Sequence, residues 1–419
     1  MGKKPNRAHR AAKRRARQGD ADLWAAQGTE TPEQVANALA AAALATAQGD
    51  AGVAGRCAAG LGDPLTPQLE QGADLAAQRI IAQVLANGWL PGDIEQAARR
   101  RVDEFAVAYL RDVLATYMAA YAPETIDDTW REQLAGMRVW WSATRPHLGQ
   151  WADRHLLTPV EAATTVIQAL GLLVQLPKLE LIRPLPGTAH GTGSTHHADE
   201  KALTRVRGLL AKAESTSFPE EAESLSAKAQ ELMTKYALDR VLIEAAGPAP
   251  DLPGARRLWL DTPYTDAKAL LVEVVTRANR CRAIFASTWG FTTIVGDEDD
   301  LDAVEILVTS LLVQATRTMI ATGDPAVGDE HSRSRSYRKS FLLAYATRIG
   351  ERLAAATEAT IADAADRERL LPVLASHQAR IDKAFDTLFP AVSPKRTTIP
   401  SAAGWDAGRA AADQARIER

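Results

Sequence analysis

Eight cationic side chains, Lys3, Lys4, Arg7, Arg10, Lys13, Arg14, Arg15 and Arg17, stand in the first seventeen residues with no acid among them. The chemistry such a run offers is phosphate neutralisation. Each Lys or Arg that meets a nucleic-acid phosphate releases a counterion, so affinity falls steeply with salt. Subtracting these eight charges from the net −3 leaves −11 on the rest of the chain, so the basic character is confined to an arm. The arm carries no Phe, Tyr or Trp on which a base would stack, and contact through it is expected to be weakly sequence-selective. A solubilising tail, or one that touches the acidic body, has the same composition. A second basic run, His331 to Lys339, places Arg333, Arg335, Arg338 and Lys339 where a loop leads into a helix. It reads either as an anion- or phosphate-binding patch or as a solvated helical turn.

Other constellations are weaker. Asp297, Glu298, Asp299, Asp300 and Asp302 suit a hard cation, but the run lacks the spaced ligands, central Gly and terminal Glu of an EF-hand. Acids that cap the following helix explain it better. His190, His196 and His197, with Asp199 and Glu200, offer imidazole to zinc or nickel, yet a linker without supporting partners makes an adventitious site the expectation. His147 and His155 lie eight apart with no carboxylate pattern beside them. Trp130, Trp140, Trp141 and Trp151 recur at helical spacing, where aromatic residues are more often core than ligand platforms. There is no HExxH, no GxSxG, no GxxxxGK followed by Ser or Thr, and no GxGxxG. No catalytic residue, metal ligand or cofactor is therefore assigned. Cys57 and Cys281 form no CxxC pair, and Cys281 sits in an apolar run and is expected to be buried.

The elements that must position these groups are mainly helical. Apolar residues make up 46% of the 419, and Ala supplies much of that, which favours helix. Residues 1–20 read as the disordered basic arm, and 21–64 as a low-complexity Ala/Gly segment, disordered or marginally helical. A helical domain is predicted over 65–176, with helices ending at Asn87-Gly88, running from Ile94 to Tyr121, and spanning Asp127–Ala143 and Pro159–Leu173. Residues 177–199 read as an exposed linker. A hairpin of two helices follows over 200–246, then an α+β domain over 255–356 in the order β-α-β-β-α-α. There an antiparallel β-hairpin turns at Thr288-Trp289-Gly290 and is backed by helices. Residues 357–419 carry C-terminal helices, interrupted near Pro372, and a tail. No apolar run reaches 18 residues, so no membrane span is expected, and the basic N-terminus leads into no apolar signal core. The cytoplasm is the expected location.

The helical hairpin repeats apolar residues on one face of each arm: Leu203, Val206, Leu210 and Ala213, then Ala222, Leu225, Ala229, Leu232 and Tyr236. Ser217-Phe218-Pro219-Glu220 has the form of a capping box. Glu231 and Lys235 are set for an i,i+4 pair, and Gly208 suggests close helix approach. In Leu209-Leu210-Ala211, Glu221-Ala222, Ala227-Lys228-Ala229-Gln230, Leu232-Met233 and Lys235-Tyr236 this segment resembles the DUF2786 domain, a family without assigned function. Gly88 to Ile94 and Gly404 to Arg409 are similar to segments of its longer actinobacterial relatives, and the α+β domain after the hairpin fits the same pattern. The resemblance implies membership and no catalytic residue. Gln230 and Lys228 are expected to serve structure. Three functions stay open: a noncatalytic module binding nucleic acid or a protein partner, a hydrolase-like enzyme with its site between hairpin and α+β domain, and a structural protein that oligomerises through helical faces.

Overall fold

The computed structural model describes residues 31–50, 52–61, 64–188, 200–216, 219–245, 253–321, 334–364, 367–390 and 402–414. The chain divides into two compact units, one ending at Gly193 and the other beginning at Ser194.

The N-terminal unit holds α1 (Pro32–Ala47), α2 (Val53–Leu61), α3 (Pro67–Ala86), α4 (Pro91–Arg101), α5 (Glu104–Met118), α6 (Asp128–Leu134), α7 (His147–His155) and α8 (Pro159–Gln175). Three of these open on the same device, a Thr cap followed by Pro in the first turn. Thr31, Thr66 and Thr158 each accept a backbone N–H three residues on. The expected disorder or marginal helix over 21–64 is corrected for its described part. Val35, Ala36, Leu39, Ala42 and Ala43 of α1 are buried. The Ala-rich face works through closeness rather than bulk: a Cβ on Gly171 of α8 would lie 3.2 Å from the Ala43 carbonyl, and one on Gly72 of α3 would strike Val35.

Two further expectations change here. The long helix from Ile94 breaks at Val102, where Asp103 caps α5 by accepting the Ala106 N–H at 2.8 Å. The helix expected over Asp127–Ala143 stops at Leu134, and residues 135–146 run irregularly into α7. Gln150 holds that loop. Its carboxamide oxygen accepts the Ser142 N–H, and its nitrogen donates to the carbonyls of Ser142, Arg145 and Pro146. The first part of the expected linker also packs: Trp89 Nε1 donates to the Pro177 carbonyl at 2.8 Å, Leu179 N–H to Asn87, and Pro186 is buried.

The C-terminal unit begins with the hairpin α9 (Glu200–Ser215) and α10 (Pro219–Ala245). It continues through β1 (Gly254–Trp259), α11 (Thr265–Ala278), β2 (Arg282–Ala286), β3 (Phe291–Gly296), α12 (Glu298–Ala321), α13 (Arg335–Ala362), α14 (Arg367–Leu388) and α15 (Ala402–Gln414). The mainly helical fold with a small antiparallel sheet is as the sequence predicts. The sheet order is β1-β3-β2, with Trp259 opposite Phe291 on one side and Ala286 opposite Phe291 on the other. Every residue of the central β3 is buried. Among the described residues Glu298–Ile320 alone is long and apolar enough to cross a membrane, and its Leu301, Val304, Leu307, Val308 and Leu311 sit in this unit's core. The interruption expected near Pro372 falls between Ala362 and Arg367 instead, and Pro372 lies within α14.

Gly404 and Gly408 seat α15 on α13. A Cβ on Gly404 would collide with the Tyr337 carbonyl, and one on Gly408 with the Phe341 carbonyl. Gly408→Leu is expected to push α15 off α13 and cost about 1–3 kcal/mol, measured by urea unfolding of the full chain. Gly55→Ala, at a helical glycine with open space around it, should be neutral or mildly stabilising.

Candidate functional site

In the N-terminal unit, titratable groups from three helices and two tryptophans from a loop gather around His147. The imidazole Nε2 meets Asp112 Oδ2 at 2.9 Å, and the Trp140 indole donates to both oxygens of the same carboxylate at 3.1 and 3.0 Å. Trp141 lies over His147 with ring centroids 4.4 Å apart, and Arg154 sets its guanidinium 4.2 Å above the Trp140 ring. On α3, Glu70 accepts the Gly149 N–H at 3.0 Å, capping α7 from outside. One turn further along α3, half-buried Asp74 makes no hydrogen bond or ion pair with any described residue. Its carboxyl is pushed up to about 6, by burial first and by Glu70 as well, against the opposing pull of His147. Tyr109 of α5 is completely buried, its hydroxyl has no partner among the described residues, and burial with the charges of Asp74 and Asp112 drives its acidity well below the ordinary phenol's.

In the C-terminal unit the hairpin is joined to its neighbours by an apolar and a polar seam. Val206, Leu210, Ala229 and Met233 share one core with Val272, Val275, Leu307, Leu311 and Phe341. Gln230, wholly buried, donates to Thr234, Asn279 and Thr357 at 3.2, 3.1 and 3.3 Å, and Asn279 donates back at 3.3 Å and to the Val275 carbonyl at 2.9 Å. Such a network is stable only when every member is satisfied, so it fixes the seam's register. Where a cleft was expected between hairpin and α+β domain, the described residues pack.

Below that seam lies a charged cluster. Asp297 and Asp300, at the end of β3 and the start of α12, lie with His377 of α14 so that one ligand atom from each falls within 4.8 Å of the others. Three arginines neutralise them. Asp300 accepts from Arg240 of α10 at 2.8 Å and from Arg280 at 3.0 Å. Asp297 accepts from Arg380 at 2.8 and 2.9 Å and meets His377 Nε2 at 2.6 Å, while Asp299 accepts from Arg240 at 3.0 Å. Burial raises both carboxyls, but the partners outweigh it and hold them below the ordinary carboxylate range. His377 leads for Asp297, Arg280 and Arg240 for Asp300. This is a balanced ion network that ties α10, α12 and α14 together, and its guanidiniums sit where a cation's charge would have to compete.

Residues 201–240 match the model of a family described as a protein of unknown function, DUF2786. The chain carries a DUF2786 domain. No curated protein and no solved structure matches the chain. Gln230 and Arg240 both fall inside the DUF2786 segment, and both reach out of the hairpin to the α+β domain. These two polar positions of the DUF2786 helices thus serve docking within this chain. Glu231 takes Lys228 at 2.7 Å in place of the expected Lys235, and Gly208 is exposed with open space where a Cβ would go, not a point of close approach. Ser217 and Phe218 of the expected capping box lie outside the described residues. Glu221 bonds Thr216 at 2.7 Å and Lys212 at 2.9 Å across the turn.

Lys3, Lys4, Arg7, Arg10, Lys13, Arg14, Arg15, Arg17 and Arg333 lie outside the described residues, as do His190, His196 and His197. Arg335 is exposed on the first turn of α13, Arg338 is partly buried with its Nε unpartnered among the described residues, and Lys339 pairs with Asp266 at 2.5 Å. Cys281 is buried as expected, and burial raises its thiol well above the usual range. Trp130 and Trp151 are core, but Trp140 and Trp141 are not, because α6 ends before them and they close over His147. The carboxylate missing from the His147 pattern is Asp112, thirty-five residues upstream. No spacing rule reaches that far. The nearest signal was Asp74 and Asp112, acids set among apolar residues on their helices.

Proposed function

We propose that the chain is a noncatalytic nucleic-acid-binding protein of the cytoplasm, in which residues 1–17 make the contact and the DUF2786 hairpin braces the C-terminal unit. The observation that carries this reading is charge segregation: eight cations without an acid in seventeen residues, against −11 on the remainder. Exposed Arg335 adds one cation on α13, while Lys339, held by Asp266, adds none. Contact through phosphates alone implies little sequence preference. Mobility shifts of labelled single- and double-stranded oligonucleotides test it. With six to ten phosphates neutralised, affinity for duplex should fall by about 10³–10⁵ between 50 and 200 mM salt. Deleting residues 1–17 should abolish the shift. Binding that ignores salt, or that survives the deletion, refutes the proposal.

A further inference from the structure

We propose that the His147 cluster of the N-terminal unit binds a small organic cation, a protonated alkylamine, between the Asp74 carboxylate and the Trp140–Trp141 wall. Three observations converge on this class, independently of the nucleic-acid reading. Asp74 is a half-buried carboxylate with no hydrogen-bond or ion partner among the described residues, a costly state that a cation would relieve. The Tyr109 hydroxyl is fully buried and unpartnered among the described residues, close enough to Asp74 and Asp112 to feel both charges. An orphaned buried hydroxyl of this kind marks a place for a missing polar partner. The wall already holds a cation, since the Arg154 guanidinium rests 4.2 Å over Trp140.

The unfilled groups among the described residues are therefore a carboxylate and a phenol oxygen, beside indole surface. An ammonium group supplies N–H donors and charge, and a short alkyl chain covers the indoles. An anion would meet Glu70, Asp74 and Asp112. A metal ion finds no three ligand atoms of this cluster within 4.8 Å, the only such group among the described residues being Asp297, Asp300 and His377.

The test is a titration of the full chain with n-butylammonium chloride at pH 7.5, followed by tryptophan fluorescence and calorimetry. Butan-1-ol and sodium butyrate serve as neutral and anionic counterparts. Saturable binding of the ammonium alone is expected, weakened at least tenfold in Asp74→Asn and clearly weakened in Tyr109→Phe. Binding should fade as pH drops through about 6, where Asp74 gains its proton in the field of Glu70, Tyr109, Asp112 and His147. Should Asp74→Asn fail to fold, Tyr109→Phe and the pH series decide. No saturable signal, equal binding of butanol, or affinity indifferent to pH and to the variants would overturn the assignment.

Discussion

Asp300→Ala is expected to destabilise the C-terminal unit by about 3–5 kcal/mol, the cost of stranding a buried charge. Asp300 is 7% exposed and sits between Arg280, 11% exposed, and Arg240, 19% exposed. Arg240 would keep Asp297 and Asp299, but Arg280 would lose its only ion partner among the described residues. The effect should therefore be carried by Arg280, and Asp300→Ala combined with Arg280→Ala should recover part of the loss in a double-mutant cycle. Hydrogen exchange read by mass spectrometry would show protection lost in α10, α12 and α14 and kept in the N-terminal unit. A loss below about 1 kcal/mol would mean that the cluster behaves as ordinary surface pairs.

The same network sets an acid limit. Asp297 and Asp300 are held below their ordinary value of 3.8, so their contribution is complete above that value and disappears as pH falls through the lowered one. Unfolding of the C-terminal unit in acid should begin below about pH 4, and Asp300→Ala should flatten that onset.

How much of this was legible depends on distance along the chain. The β-α-β-β-α-α order was readable because each run of β-prone residues is bounded locally, as at Thr288-Trp289-Gly290, where Gly290 adopts φ 82. The hairpin's apolar stripes were readable for the same reason. α1 was misread because Ala-rich faces carry little hydrophobic signal, although Thr31-Pro32-Glu33-Gln34 held a capping box in plain view. The sequence marks Gln230 as structural, but nothing local to it shows that it is buried. Its burial depends on Asn279 and Thr357, 49 and 127 residues away. The His147 cluster was hidden twice over. Its carboxylates lie on other helices, and Trp140 and Trp141 were assigned to a helix that the Gln150 carboxamide replaces with a pinned loop.

Asp74→Asn should stabilise the N-terminal unit at pH 8 by about 2–3 kcal/mol, from a rise of roughly two pKa units at about 1.4 kcal/mol each. The sign follows from burial. A carboxyl raised from 3.8 to about 6 favours the folded state most when protonated, below the unfolded value, and that advantage is lost as pH climbs through about 6. Asparagine stays neutral throughout, so the gain should be near zero at pH 4 and full at pH 8. Between pH 6 and pH 4 acidification thus strengthens the N-terminal unit while the ion network of the C-terminal unit is unchanged, and below about pH 4 that network weakens, which separate calorimetric transitions would display. Ligand narrows the gap. Butylammonium at about a hundred times its dissociation constant should add about 2.7 kcal/mol to the natural chain and little to the variant. A variant that gains stability at pH 8 and does not respond to the amine would show that the carboxylate is kept at a cost in stability for the cation it receives.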